Sequence, residues 1–234
     1  MSYTQCWTNL VWFSCYTPIM RSVPVLTDMY YHVYNRGNQK QILFLDQYDY
    51  VRFLYLLLYF QSDTIIPQTH RQVTSFIKEG NFSVRENVYL DIVQGRHVSL
   101  LNFCIMPNHY HLTVHTLNET GLAQYMHRVG NAYAKYFNAK YEKTGHVFQG
   151  AYKLRMIESD KQLVYTSAYI HKNPHELERW KNKYQLYKWS SCFDYVDKNR
   201  WGALLDTSTI ISTFKNGTDY KAYLKVTSAK EYDL

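Results

Sequence analysis

The spacing of apolar and polar positions changes several times along the 234-residue chain, and each change marks an element. Met29–Asn35 (MYYHVYN) is rich in aromatic and β-branched residues and predicts a first strand, closed by a turn at Arg36, Gly37 and Asn38. Asp46 is placed to cap a helix running to about Gln61, with Val51, Leu54, Tyr55 and Leu58 on one face. Residues 62–96 are mixed and polar, contain Pro67 and Gly80, and read as an insertion carrying short helices. A second strand is expected over His97–Ile105, a turn at Met106, Pro107 and Asn108, and a third strand over His109–His115. Thr120 opens a long helix to about Tyr141, with Leu122, Met126, Val129, Tyr133 and Phe137 at helical spacing. Gly145–Gly150 is a loop and Ala151–Ile157 a fourth strand. Ser159 and Gln162 form a capping-box pattern for a last helix to about Asn173, where Pro174 stops it.

The order β-α-β-β-α-β-α predicts an α+β fold, an antiparallel sheet with helices packed on one side. One domain is expected over 29–195, with 62–96 as its insertion. Residues 1–28 form an N-terminal extension with a strand-like stretch at Leu10–Phe13 and prolines at 18 and 24, within which Met20, or Met29 just after it, is an alternative start. The tail, 196–234, suggests one or two short helices and no chemistry, and no repeat or low-complexity tract interrupts the chain.

Charge adds a partner to this picture. Lys and Arg total 26 against 19 Asp and Glu, a net charge of +7 with a pI near 9.0, which favours a polyanion because neutralised phosphates release their counterions. Tyrosine is over-used at 24 copies; most must fill the core, but a phenol can also stack on an unpaired base or act as a nucleophile. Cys6, Cys15, Cys104 and Cys192 include no C-x-x-C pair, so neither a zinc ribbon nor a thioredoxin-type motif is expected, and thiols without a tight framework suit a reducing compartment. The apolar run Phe53–Phe60 is too short to span a bilayer, and no signal-peptide pattern opens the chain. A cytoplasmic protein without membrane contact is expected.

The sharpest local signal is Pro107-Asn108-His109-Tyr110-His111-Leu112. Residues two apart on a strand project from one face, roughly 6.6–7 Å apart, so His109 and His111 can aim both imidazoles at one divalent ion while Tyr110 points away. A bare pair of histidines also fits a half-exposed strand that binds nothing. Tyr169 and Asn173 lie four apart on the last helix and share a face, offering a phenol and an amide oxygen one turn apart. On spacing alone an amphipathic helix with packed tyrosines and a capping Asn173 is the commoner case, and Pro174 places Asn173 at a frayed end.

Four segments taken together carry a family likeness: Tyr31–Gly37 (YHVYNRG), Met106–His111 (MPNHYH), Gly145–Gly150 (GHVFQG), and Tyr169–Pro174 (YIHKNP) followed by Trp189-Ser190-Ser191. In this order, over about 29–196, the chain resembles the HUH single-tyrosine transposases, most closely the REP-associated tyrosine transposase group. The resemblance implies an RRM-like (ferredoxin-like) HUH endonuclease fold. It makes His109 and His111 metal ligands, Asn173 the third ligand and Tyr169 the nucleophile. It also implies cleavage and rejoining of single-stranded or hairpin DNA through a 5′-phosphotyrosine link with a free 3′-OH. Ala151 departs from the arginine that often follows the Gln-Gly pair in that family, which would weaken a phosphate contact.

Mg²⁺ or Mn²⁺ is the expected cofactor, with imidazole ligands better suited to Mn²⁺. A phenol with a pKa of about 10 needs help losing its proton, and no residue in the sequence identifies itself as that base. Tyr165, one turn before Tyr169, and Tyr133 and Tyr136 on the long helix are the rival nucleophiles. Arg36, Lys153 and Arg155, next to the motifs, are the expected DNA-backbone contacts. A non-catalytic binding module derived from a transposase, and a phosphohydrolase using the two histidines without a covalent step, are the alternatives. Both a monomer and a homodimer fit.

Overall fold

Tyr30–Arg36 forms strand β1, which sits inside a four-stranded sheet and buries Tyr31, His32 and Val33 in succession because both of its faces are covered. The computed structural model describes residues 24–66 and 68–228, so the stretch Leu10–Phe13 and most of the N-terminal extension lie outside the described residues. Strands β2 (Val98–Met106), β3 (His109–Thr116) and β4 (Lys153–Ile157) complete the sheet in the order β2-β3-β1-β4. Every neighbouring pair is antiparallel. Because β3 opposes both β1 and β2, those two run parallel with β3 between them, which is the split-βαβ arrangement of a ferredoxin-like sheet.

Helix α1 (Gln47–Tyr59) starts at a reciprocal cap: the Asp46 carboxylate accepts from the Asp49 amide at 3.1 Å, and the Asp49 carboxylate accepts from the Asp46 amide at 3.3 Å. Helices α2 (Thr69–Glu79) and α3 (Glu86–Gln94) occupy the polar stretch read as an insertion. Helix α4 spans Gly121–Lys140. Helix α5 (Asp160–Lys172) is capped by Ser159, whose hydroxyl accepts from the Gln162 amide at 3.3 Å. The return arm of that predicted box lands one residue early, on the Glu158 amide at 2.8 Å.

The helices, expected on one side of the sheet, cover both. Tyr31, Val33, Phe103, Ile105, Tyr110, Leu112 and Val114 pack against Phe53, Leu57, Val129 and Tyr133 of α1 and α4 in one apolar cluster. The opposite face carries α5, because Ile170 packs with Cys104 and Met106 of β2, and Leu163 and Ala168 join Leu101. The chain after α5 then closes over that helix. Helices α6 (Cys192–Val196), α7 (Ser208–Ile211) and α8 (Gly217–Val226) supply Tyr195, Ile210, Tyr220 and Leu224 to the same cluster. His171 on α5 is tied to both, to the Tyr220 hydroxyl at 2.7 Å and to Ser191 Oγ at 2.8 Å.

One irregularity sets which β2 side chain faces which layer. Leu100 pairs with Val114 and Asn102 with Thr113, leaving Leu101 as a bulge. Leu100 and Phe103 therefore stay with the α1–α4 core while Leu101 reaches the α5 side. A buried charge locks the first layer: the Asp49 carboxylate accepts from Lys140 Nζ at 2.7 Å, the Tyr136 hydroxyl at 2.9 Å and the Tyr141 hydroxyl at 2.6 Å, joining the start of α1 to the end of α4. Among the described residues no helix is long and apolar enough to cross a membrane.

Candidate active site

The register builds three rows across the α5 face of the sheet. Arg36 lies opposite His109. Lys153, Tyr34, His111 and Cys104 form the next row, and Arg155, His32, Thr113 and Asn102 the third. Strand alternation alone brings the predicted ligands His109 and His111, and the predicted DNA contacts Lys153 and Arg155, to one face. Helix α5 supplies the remaining pair: the Tyr169 ring lies edge-on to His111, with centroids 5.5 Å apart and planes at 89°, and edge-on to His32 at 6.0 Å.

Hydrogen bonds fix how these groups point. Asn108 donates to the Lys40 carbonyl at 3.4 Å, which leaves its Oδ1 to accept from His109 Nδ1 at 2.7 Å. The opposite ring nitrogen, His109 Nε2, then carries a lone pair, and it faces Asn173 Oδ1 at 3.3 Å. Asn173 cannot relieve this by turning its amide, because its Nδ2 donates to the Tyr169 carbonyl at 3.1 Å. Two acceptors are held face to face, a donor set suited to a cation. Asn173 is not frayed: it keeps helical angles (φ −47°, ψ −40°) and leads into a 3-10 turn, Asn173–Glu176, whose first turn accommodates Pro174.

His111 has its own support. Its Nδ1 lies 2.9 Å from His32 Nε2, and the two rings stack at 20°. His32 and His111 are buried, which pushes both imidazoles toward the neutral form: His32 down to about 3 by desolvation and the field of Arg155, His111 lower by desolvation and by His32 and His109. His109 is lowered as well, chiefly by desolvation, with Asn173 and Glu176 opposing and Arg36 assisting. All three rings thus present lone pairs rather than charge. Among the described residues no group of three His, Cys, Asp or Glu could hold a metal ion, so a divalent ion here would rest on two imidazoles and the Asn173 amide oxygen.

The Tyr169 phenol is raised above its ordinary value, mainly by burial, partly offset by the Asn173 side chain and reinforced by the Glu176 carboxylate. The rival tyrosines are engaged elsewhere. The Tyr133 hydroxyl donates to the Leu43 carbonyl at 2.6 Å inside the apolar core, Tyr136 bonds Asp49, and the Tyr165 hydroxyl donates to the Ser228 carbonyl at 2.7 Å.

The motif segments meet at this end of the sheet. The Gly37 amide donates to the Asn108 carbonyl at 2.8 Å, and a side-chain carbon at Gly37 would collide with the Gln41 carbonyl oxygen. Arg36 Nε donates to Gln149 Oε1 at 2.7 Å, Gln149 returns an amide bond to the Arg36 carbonyl, and Asn35 reaches the Gly150 carbonyl at 3.2 Å. Trp189–Ser191 extends the β2 edge through Ile105 N to Trp189 O and Ser191 N to Phe103 O.

Comparison with known proteins bears on this arrangement. Residues 65–173 match the IS200-like transposase family. The transposase likeness drawn from the motifs is borne out. The family match takes in His109, His111, the 145–150 loop, Tyr169 and Asn173, and leaves out the first motif segment. A solved REP-associated tyrosine transposase bound to a REP hairpin is similar over 81% of this chain and 94% of its own, at 15% identity and a TM-score of 0.47. No curated protein matches.

His32 and Asn108 were given no role by sequence reasoning. Their signal was present: His32 sits at the alternating position that strand pairing carries beside His111, and Asn108 directly precedes His109. Only the pairing of β1 with β3 turns the first into a neighbour.

Proposed function

We propose that this chain is a metal-assisted single-strand DNA endonuclease and strand transferase, acting on linear or hairpin DNA with Tyr169 as nucleophile. The observation that carries this reading is the facing pair His109 Nε2 and Asn173 Oδ1, 3.3 Å apart, one helical turn from Tyr169. A divalent ion, Mg²⁺ or Mn²⁺, held by His109, His111 and Asn173 would supply Lewis-acid neutralisation of the phosphate's non-bridging oxygens.

The chain's own residues do the rest. Asn108 accepts from His109 Nδ1 and so leaves the Nε2 lone pair toward Asn173, and the 2.9 Å contact with His32 orients the His111 ring, which would offer its Nε2 lone pair when its Nδ1 donates to His32. Helix α5 presents the Tyr169 oxygen to phosphorus; the P–O3′ bond breaks, the 3′ oxygen leaves as a hydroxyl carrying the proton that the phenol gives up, and the 5′ phosphate stays on the tyrosine. The phenol must give up its proton against the burial that favours it, and Glu176, which lines the same cavity as Tyr169, is the carboxylate that would receive it. The reverse attack by a 3′ hydroxyl rejoins strands, because the phosphoester energy is retained in the tyrosyl link. Arg36, Lys153 and Arg155 hold the DNA backbone along the β1–β4 side. The catalytic unit spans 29–195, with 196–228 buttressing α5.

A binding module without chemistry is the second reading, favoured by the burial that keeps the Tyr169 phenol protonated. Incubation with end-labelled single-stranded DNA and Mn²⁺ separates the readings. The proposed enzyme leaves a denaturation-resistant protein–DNA adduct, lost in Tyr169→Phe while binding persists. Cleavage without adduct indicates a hydrolase, and binding without cleavage a module; either outcome defeats the proposal.

A further inference from the structure

Beside Tyr169, and lined by none of Arg36, Lys153 and Arg155, two cavities of about 500 Å³ and 510 Å³ adjoin, sharing Lys172, His175 and Lys181 as walls. The first opens at Tyr169 and Asn173; the second continues past Lys183 and Lys225. The groove is built rather than incidental. Lys172 donates to the Thr227 carbonyl, bridging the end of α5 to the end of α8, and His175 packs on Tyr184 with ring centroids 4.5 Å apart. Four lysines line it against one carboxylate, Glu176, which sits at the Tyr169 end. Among the described residues none of these lysines is ion-paired. Their fields converge: Lys172 and Lys181 add to burial in holding His175 neutral.

We propose that this groove is a second strand-binding site, in which the phosphates on one flank of the scissile linkage are neutralised by Lys172, Lys181, Lys183 and Lys225. It rests on the reading of Tyr169 as the nucleophile, and it gives the strand a second cationic surface besides Arg36, Lys153 and Arg155. A strand whose reacting phosphate sits at Tyr169 has to leave the site on both flanks, and the sheet edge accounts for only one. The contribution of its lysines goes to phosphates, so it is independent of sequence and screened by salt. Three of its lysines, Lys181, Lys183 and Lys225, lie on the segment that follows the family match, outside residues 65–173.

The salt dependence of DNA binding tests this. The full chain carrying Tyr169→Phe, without metal, is titrated into a fluorescein-labelled single strand extended on both flanks, and log K is followed against log salt. Each phosphate contact contributes a slope of about −0.7 on a single strand. Adding Lys181→Ala, Lys183→Ala and Lys225→Ala is expected to flatten the slope by about 2, with the thermal transition unchanged. A control pair, Lys78→Ala with Lys215→Ala, exposed but outside the groove, leaves the slope as it was. Parent-like binding and slope in the folded triple variant would overturn the groove while leaving the nuclease reading intact. Failure of the parent to bind any single strand would overturn both.

Discussion

The two faces of one sheet are built on opposite rules. On the α1–α4 face, Leu112, Val114, Phe103 and Ile105 are buried among aliphatic and aromatic neighbours. On the α5 face the same strands bury polar groups, and several find no partner: His32 Nδ1, Thr113 Oγ1 and both side-chain polar atoms of Asn102, all in one row. An unpaired buried polar group costs about 1–3 kcal/mol, so this row is a stability debt that the apolar face offsets. The contrast teaches where selection for folding stops: adjacent residues of β3 serve different ends, Leu112 the core and His111 the site.

The largest effect expected from breaking the comparison is on the apolar face. Leu112→Ala should lose about 3–4 kcal/mol by leaving a cavity under α1 and α4, read from chemical denaturation. Asp49→Ala should follow, at about 3 kcal/mol, since it leaves the Tyr136 and Tyr141 hydroxyls without their acceptor, leaves Lys140 with Asp46 alone and removes the return arm of the α1 capping box. Burial alone would raise the Asp49 carboxyl, but hydrogen bonds from Lys140, Tyr141, the Leu45 amide and Tyr136 hold it below the ordinary value. Its contribution is therefore full above about pH 4, the unfolded carboxyl range, and is lost as pH falls through the lower folded value. A wild-type acid-stability profile that Asp49→Asn fails to flatten below pH 4 would contradict this.

On the polar face, His32→Phe should keep the ring packing and weaken Mn²⁺ binding by about 10–100-fold, the usual cost of losing an outer-shell partner. Calorimetric titration of the metal measures it, with no DNA present. The smallest effect is expected at Thr113→Val, which replaces an orphaned hydroxyl by a methyl of the same shape and should be neutral or stabilise by about 1 kcal/mol. A loss of stability there would mean that the hydroxyl is satisfied after all, and the two faces would differ less than their side chains suggest.

Much of this division was legible in the chain. Strand alternation through Pro107–Leu112 predicted which imidazoles share a face, and the i,i+4 spacing of Tyr169 and Asn173 predicted that phenol and amide would meet. The α+β order and the three long helices were read from periodicity and end signals, and the Ser159 cap from its spacing to Gln162. What stayed hidden depends on pairing rather than pattern. The partnership of His32 with His111 needs the β1–β3 register. The covering of the second face by α5 needs Leu163, Ala168 and Ile170 to find a partner that local periodicity does not name. The tail, read as chemically silent, contributes Lys225 to the groove beside α5 and Tyr220 to the anchor of His171, because α8 folds back over that helix. The bulge at Leu101 gives no signal in a run of consecutive apolar residues.

The central claim is that Tyr169, and no other tyrosine among the 24, takes the phosphate beside His109, His111 and Asn173. Trapping the covalent adduct with single-stranded DNA and Mn²⁺, digesting both polymers, and locating the residual nucleotide by tandem mass spectrometry tests this directly. The account predicts a phosphonucleotide on Tyr169 alone; the same mass on Tyr165, Tyr34 or any other tyrosine would contradict it.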